Sequence, residues 1–115
     1  MAEHNELGKT GEEIAVEYIL RQGFKILYRN WRFMHKEIDI IALDGRTLVF
    51  IEVKTRSGNV EARDTMSASK MRYLSTAANF FIDRFKRTEE ARFDLIVIRF
   101  LRGQYTVEHI KEAFR

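Results

Sequence analysis

Glu37-Ile-Asp-Ile-Ile-Ala-Leu43, then Asp44-Gly45-Arg46, then Thr47-Leu-Val-Phe-Ile-Glu-Val-Lys54, is the stretch whose reading decides the fold. Two alternating apolar runs joined by Asp44-Gly45 read as a β-hairpin, because glycine tolerates the positive φ that tight hairpin turns require. A two-residue loop would place Leu43 opposite Arg46 and Glu37 opposite Glu52. A four-residue loop would set Asp39 directly across from Glu52. Both registers put Glu37, Asp39, Glu52 and Lys54 on one face of the sheet, whereas a regular three-residue loop would flip Glu52 unless a bulge restored the phase.

Charges in strands this apolar need a physical reason. An unpaired buried carboxylate neutralises or finds a cation, so three acids and one lysine in a sheet indicate either a metal site or a tight ion-pair network. Directly opposed residues have β-carbons about 5 Å apart, close enough for two carboxylates to share a divalent ion. The opposite face, Ile38, Ile40, Ala42, Val49, Ile51 and Val53, is apolar, and Ile41, Leu43, Leu48 and Phe50 make the turn end apolar on both sides. The hairpin therefore reads as buried near its turn, with its charges gathered at the open end.

Outward from the hairpin, Leu7 to Gln22 reads as a helix with Gly11, Ile14, Ala15, Tyr18 and Ile19 as its apolar stripe and Gly23 as its stop. Glu6, Glu13 and Glu17 fall opposite that stripe. Glu12 borders it, and is the helix acid able to turn toward the sheet. Phe24 to Phe33 is a β-rich run, and Arg56 to Thr65 reads as a polar loop. From Ser67 to Phe85, Met71, Leu74, Ala78, Phe81, Ile82 and Phe85 recur at helical spacing, with Ser67 or Ser69 as the cap. Phe93 to Leu101 is a strongly apolar strand, Arg102-Gly103 a turn, Tyr105 to His109 a weaker edge strand, and a short terminal helix is expected to close the chain.

The order is helix, three strands, helix, two strands. A helix between Lys54 and Phe93 serves as a crossover, so the fourth strand can lie parallel to the third. This predicts a single α/β domain over residues 1–115, with a mixed five-stranded sheet flanked by helices. Proline, repeats and low-complexity linkers are absent, and 115 residues with 45% hydrophobic side chains suffice for one core.

Composition narrows the chemistry. Without cysteine there is no disulfide, thiolate zinc site or cysteine nucleophile. His4, His35 and His109 lack paired metal-ligand spacing and read as surface or structural groups, with His35 the nearest to the acidic cluster. Twenty Lys and Arg against seventeen Asp and Glu give +3 and a pI near 9.3, a mild surplus that tilts only slightly toward nucleic acid. No apolar run is long enough to span a membrane, and Met1 to Glu6 is too polar for a secretory signal, so a cytoplasmic location is expected.

Asp39, followed thirteen positions later by Glu52-Val-Lys54, with Glu12 in a preceding helix, resembles the PD-(D/E)xK nuclease superfamily. The chain is most similar to the YraN family of small bacterial proteins, related to archaeal Holliday-junction resolvases. The matching stretches are Gly8-Lys-Thr-Gly-Glu-Glu-Ile-Ala15, Arg29-Asn-Trp31, Glu37-Ile-Asp39, Phe50-Ile-Glu-Val-Lys-Thr-Arg56, Lys70 and Arg92-Phe-Asp-Leu95. A departure is Lys36, where that family usually has glycine. A lysine there either crowds the entrance or supplies a phosphate contact.

The resemblance implies a restriction-endonuclease-like three-layer core and metal-dependent hydrolysis of DNA, at branched or junction DNA in the related resolvases. It implies that Asp39, Glu52 and Glu12 bind Mg²⁺ or Mn²⁺, and that Lys54 orients the attacking water and stabilises developing charge. The chemistry agrees: oxygen ligands suit hard cations, which supply hydroxide and counter-charge for phosphodiester cleavage. Glu37 is either an outer supporting group for the metal site or the partner of Lys36, Arg32 or Lys54. Lys9, Arg56 and Lys70 are the candidate phosphate contacts, against the plainer reading of solvated surface charge. Trp31, Tyr28 and Phe33, interleaved with Arg29 and Arg32, read as core, the other reading being base stacking. The alternative function is a catalytically silent nucleic-acid-binding module, and a third is a protein active only within a DNA-processing complex. A homodimer would suit a four-way junction.

Overall fold

A single mixed sheet carries the molecule. The computed structural model describes residues 9–57 and 66–114, so Leu7, the stretch 58–65 of the expected loop and His4 lie outside the described residues. The elements are α1 (Gly11–Arg21), β1 (Lys25–Phe33), β2 (Lys36–Asp44), β3 (Thr47–Ser57), α2 (Ala68–Arg84), β4 (Glu90–Leu101) and β5 (Gln104–Phe114). The strands lie in the order β1-β2-β3-β4-β5, with β3 and β4 parallel and the other neighbours antiparallel. The expected α/β architecture and the parallel crossover through α2 are both present.

Each face of the sheet has its own helix. Ile14, Ala15 and Ile19 of α1 pack on Ile40, Ala42, Val49, Ile51, Ile96 and Ile98, while Leu74, Ala77, Ala78 and Phe81 of α2 pack on Ile38, Ile41, Leu48 and Phe50. Among the described residues, no helix is long and apolar enough to cross a membrane.

The start of α1 is set by a capping box that periodicity alone does not reveal. The Thr10 hydroxyl accepts the Glu13 N–H at 3.1 Å, and the Glu13 carboxylate accepts the Thr10 N–H at 2.9 Å. Immediately after the cap, Gly11 lies so close to β3 that a β-carbon there would sit 2.2 Å from Thr55 Oγ1. Glycine therefore brings the first turn of α1, with Glu12 in it, down onto the sheet. Gly11→Ala is expected to lower stability by about 1–3 kcal/mol through overpacking. Adding Thr55→Ala should recover most of that loss, which paired urea titrations of the single and double variants would measure.

The hairpin turn is Gly45-Arg46, closed by Asp44 opposite Thr47, with Gly45 at φ +60°. This two-residue loop sits one residue later than Asp44-Gly45, and its phase is the one that sends Asp39 toward Glu52. The ladder stops short of that pair, at Ile40 opposite Ile51. Ile38 joins the α2-side core and Ile40 the α1-side core, so the strand's alternation breaks once, at Asp39. Across β1 from this break, Asn30 has φ +53°.

The terminal helix expected from the sequence is replaced by strand. Ile110, Ala113 and Phe114 have helical spacing, but β5 continues to Phe114 through a register shift beside Phe93 and Leu95. The gain is aromatic: Phe114 stacks on Phe93 with ring centroids 4.6 Å apart.

A buried polar cluster fastens β5 and α1 to the sheet centre. The Asp94 side chain is fully buried, and it accepts from His109 Nε2 at 2.7 Å, from Arg92 Nε at 2.8 Å and from the Glu112 N–H at 3.2 Å. Arg92 also reaches Asp44 beside the hairpin turn at 3.0 Å, and the Tyr18 hydroxyl lies 3.1 Å from His109 Nδ1. Burial alone would raise the Asp94 pKa, but the hydrogen bonds from His109 and Arg92 outweigh it and hold the carboxyl below its usual range. His109 is thus structural, the second of its two expected readings.

Candidate functional site

Where β2 and β3 part, the side chain of Asp39 takes the place of a main-chain partner. Its Oδ2 accepts the Val53 N–H at 2.8 Å. Because strand N–H groups point along the sheet plane, this bond holds the carboxylate between the two strands. Glu52, one position before Val53, is 3% exposed and turns toward α2. Glu12 approaches from α1, brought close by the Gly11 contact. Two of the three carboxylates, Asp39 and Glu52, thus come from adjacent strands, and Glu12 comes from the α1 layer.

Their electrostatics are strained. Asp39 is pushed up to about 7, first by burial, then by the charge of Glu52 and, more weakly, of Glu12 and by hydrogen bonding with Glu52, with the Val53 bond pulling the other way. Lys54 Nζ lies 3.1 Å and Lys70 Nζ 3.3 Å from the same oxygen of Glu52, Oε2. Among the described residues, the other oxygen, Oε1, is buried without a hydrogen-bond partner, and so is Glu12 Oε1. The nearest cation to Glu12 Oε1 among the described residues is Arg29 Nη2 at 3.9 Å, beyond hydrogen-bond reach. Buried acceptors left unpaired are rare, and two of them beside a third carboxylate with a raised pKa leave this cluster with uncompensated negative charge. Among the described residues, no three acidic or imidazole groups are already gathered into a metal cage. Both lysines draw on Glu52 in this arrangement, so ligation would require its carboxylate to shift.

The other sequence candidates fall in different places. Glu37 is half exposed, with Oε2 3.8 Å from Arg32 Nη1. Lys9 forms a 2.8 Å pair with Glu17 on α1, and Arg56 donates to the Thr55 carbonyl at 2.8 Å. Lys70, read from sequence as a phosphate contact, has a side chain only 20% exposed and stands inside the acidic cluster. The Ser67 cap, which accepts the Lys70 N–H at 3.0 Å, fixes that position at the first turn of α2. Tyr73, one turn on, was not singled out from the sequence. It donates to the Phe33 carbonyl at 2.9 Å, and the ammonium groups of Lys36 and Lys70 each lie 5.6 Å from its ring centroid.

Fold and site together define an α/β protein with a mixed five-stranded sheet and a carboxylate–lysine cluster at the split between β2 and β3. Comparison with known proteins carries the assignment further. Residues 11–98 match the model of the family described as Uncharacterised protein family UPF0102. A UPF0102 protein of Bacteroides fragilis is 45% identical over 99% of this chain and 96% of its own. Relatives from Christiangramia forsetii and Bacteroides thetaiotaomicron are 43% and 42% identical, each over 99% of this chain and 98% and 96% of theirs. The chain belongs to the UPF0102 family, the YraN family that its motifs resemble.

Proposed function

We propose that this protein is a Mg²⁺- or Mn²⁺-dependent endonuclease that hydrolyses DNA phosphodiester bonds, acts in the cytoplasm, and belongs to the PD-(D/E)xK superfamily. The observation that carries the reading is the pair of buried carboxylate oxygens, on Glu12 and Glu52, that find no partner among the described residues beside Asp39. Asp39, Glu52 and Glu12 would hold the cation. Bound there, it would supply an activated water and counter-charge for the phosphoryl group.

The remaining roles belong to the chain itself. The Val53 N–H fixes the orientation of Asp39. Lys54 and Lys70 keep positive charge against Glu52 and would offer it to a phosphate oxygen once Glu52 turns to the cation. Branched DNA is the proposed substrate and a homodimer the proposed state, on the strength of the resemblance alone.

A second reading, a silent nucleic-acid-binding module, draws on the same Glu52. Two lysines already satisfy one of its oxygens, and no cage is preassembled among the described residues. One experiment separates the two. Linear, flapped and four-way DNA are incubated with Mg²⁺ or Mn²⁺, with EDTA, and with an Asp39→Asn protein alongside. Metal-dependent cleavage that the substitution lowers on the order of a hundredfold is expected, since several kcal/mol of transition-state stabilisation would ride on the ion. DNA binding without cleavage in either protein would leave the silent module.

A further inference from the structure

The side of the cluster that faces α2 continues into an aromatic surface that the catalytic proposal leaves unused. From Glu52 the contacts run through Lys70 to the Tyr73 ring, and from Tyr73 to Phe33, 6.1 Å away between centroids. Phe33 lies 5.0 Å from Phe80 and stacks nearly parallel on Trp31, with 6° between the ring planes. Phe80 is 48% exposed, and Met34, at the tip of the β1–β2 turn, is 69% exposed.

Neither exposure serves the core. Met34 also adopts φ +58°, a left-handed conformation that an unbranched apolar residue rarely occupies. Among the described residues, the charge around this apolar tip is cationic. Arg32 and Lys36 are exposed on the turn, Lys70 stands behind it, and the one neighbouring acid of the turn, Glu37, is matched by Arg32. An apolar platform rimmed by cations and two side chains removed from a carboxylate cluster fits a polyanion that also offers flat apolar faces.

We propose that Met34, Phe33 and Phe80 form a stacking platform for unpaired bases, so that the substrate of the adjoining site is DNA with a single-stranded or frayed segment. The proposal rests on the nuclease reading for the direction of the strand toward Glu52, but not for the binding itself. Aromatic groups beside a basic track hold single strands without regard to sequence, because every base has a stacking face, whereas paired bases in blunt duplex keep theirs covered. Lys36, exposed on the turn, adds a phosphate contact on the same rim.

The test uses the full chain in EDTA, so that no cleavage enters. Binding of fluorescein-labelled oligothymidylate, of a flapped duplex and of a blunt duplex is measured by anisotropy for the wild type, for Met34→Ser/Phe80→Ser, and for Leu101→Ser as an exposed apolar control on β4. The wild type is expected to prefer the single strand and the flap. The double variant should lose about tenfold in affinity for those two, with blunt duplex changed less than twofold, while Leu101→Ser follows the wild type. Equal loss on all three DNAs, no loss, or no DNA binding by the wild type would overturn the platform. So would a change from dimer to monomer in the double variant on size-exclusion chromatography, which would make the surface a contact between copies. The inference and the nuclease reading can fail separately: stacking preference in EDTA survives an inactive metal site, and metal-dependent cleavage survives a failed platform.

Discussion

Replacing Asp94 with alanine is expected to lower unfolding free energy by about 3–5 kcal/mol, the scale for removing one partner of a buried charge pair. Its carboxylate is the shared acceptor for Arg92, His109 and the Glu112 amide, and the substitution would take that acceptor from all three at once, leaving Arg92 with Asp44 and His109 with Tyr18. Domain stabilities are only about 5–15 kcal/mol, so the variant would be close to unfolding at ambient temperature. Chemical denaturation checks the magnitude. Its pH dependence checks the cause: a depressed carboxyl contributes fully above its unfolded pKa, and that contribution fades as pH falls through the lower folded value. Acid should therefore narrow the gap between Asp94→Ala and the wild type.

The cluster at the strand split should behave in the opposite sense. Asp39 is raised from 3.8 to about 7, so between about pH 4 and pH 7 the folded protein holds a proton that the unfolded chain has released. Unfolding free energy contributed by this group consequently declines as pH rises across that window. Asp39→Asn keeps an oxygen to accept the Val53 N–H but carries no charge, and it is expected to make the metal-free protein more stable than the wild type at pH 8. Glu52→Gln should do the reverse, because Lys54 and Lys70 would lose the counter-charge they share. Mn²⁺ should raise the wild-type melting temperature at pH 8, with a smaller effect at pH 5.5 where ligation must displace the proton, and leave Asp39→Asn unchanged. Thermal melts with and without Mn²⁺ measure all three. An Asp39→Asn protein that responds to Mn²⁺ like the wild type would remove Asp39 from the ligand set.

What the sequence revealed follows the distance over which its signals act. Asp39 and Glu52 belong to one hairpin, so a turn and two alternating runs place them near each other, whereas the choice between two registers and the break in alternation at Asp39 come from the structure. The α1 boundary depended on Thr10 and Glu13, a pair that apolar periodicity does not register. At the C-terminus, helical spacing of Ile110, Ala113 and Phe114 lost to a contact with Phe93 that only the β4–β5 register creates. Lys70 enters the acidic cluster because α2 crosses over the sheet, and Tyr18, His109 and Asp94 meet because α1 lies over β4 and β5. Such meetings are properties of topology. Residue type at those positions gives charge and size, not neighbours.

The bond from Val53 to Asp39 carries a last implication, for spectroscopy. A main-chain amide tied to an ionisable acceptor senses that acceptor's proton directly, whereas neighbours tied to carbonyls do not. In a ¹H–¹⁵N correlation spectrum the Val53 cross-peak should therefore migrate with a midpoint near pH 7, and a diamagnetic ion such as Mg²⁺ arriving at the carboxylate should displace it. One resonance would then report occupancy of the strand split, with no substrate present and no turnover required.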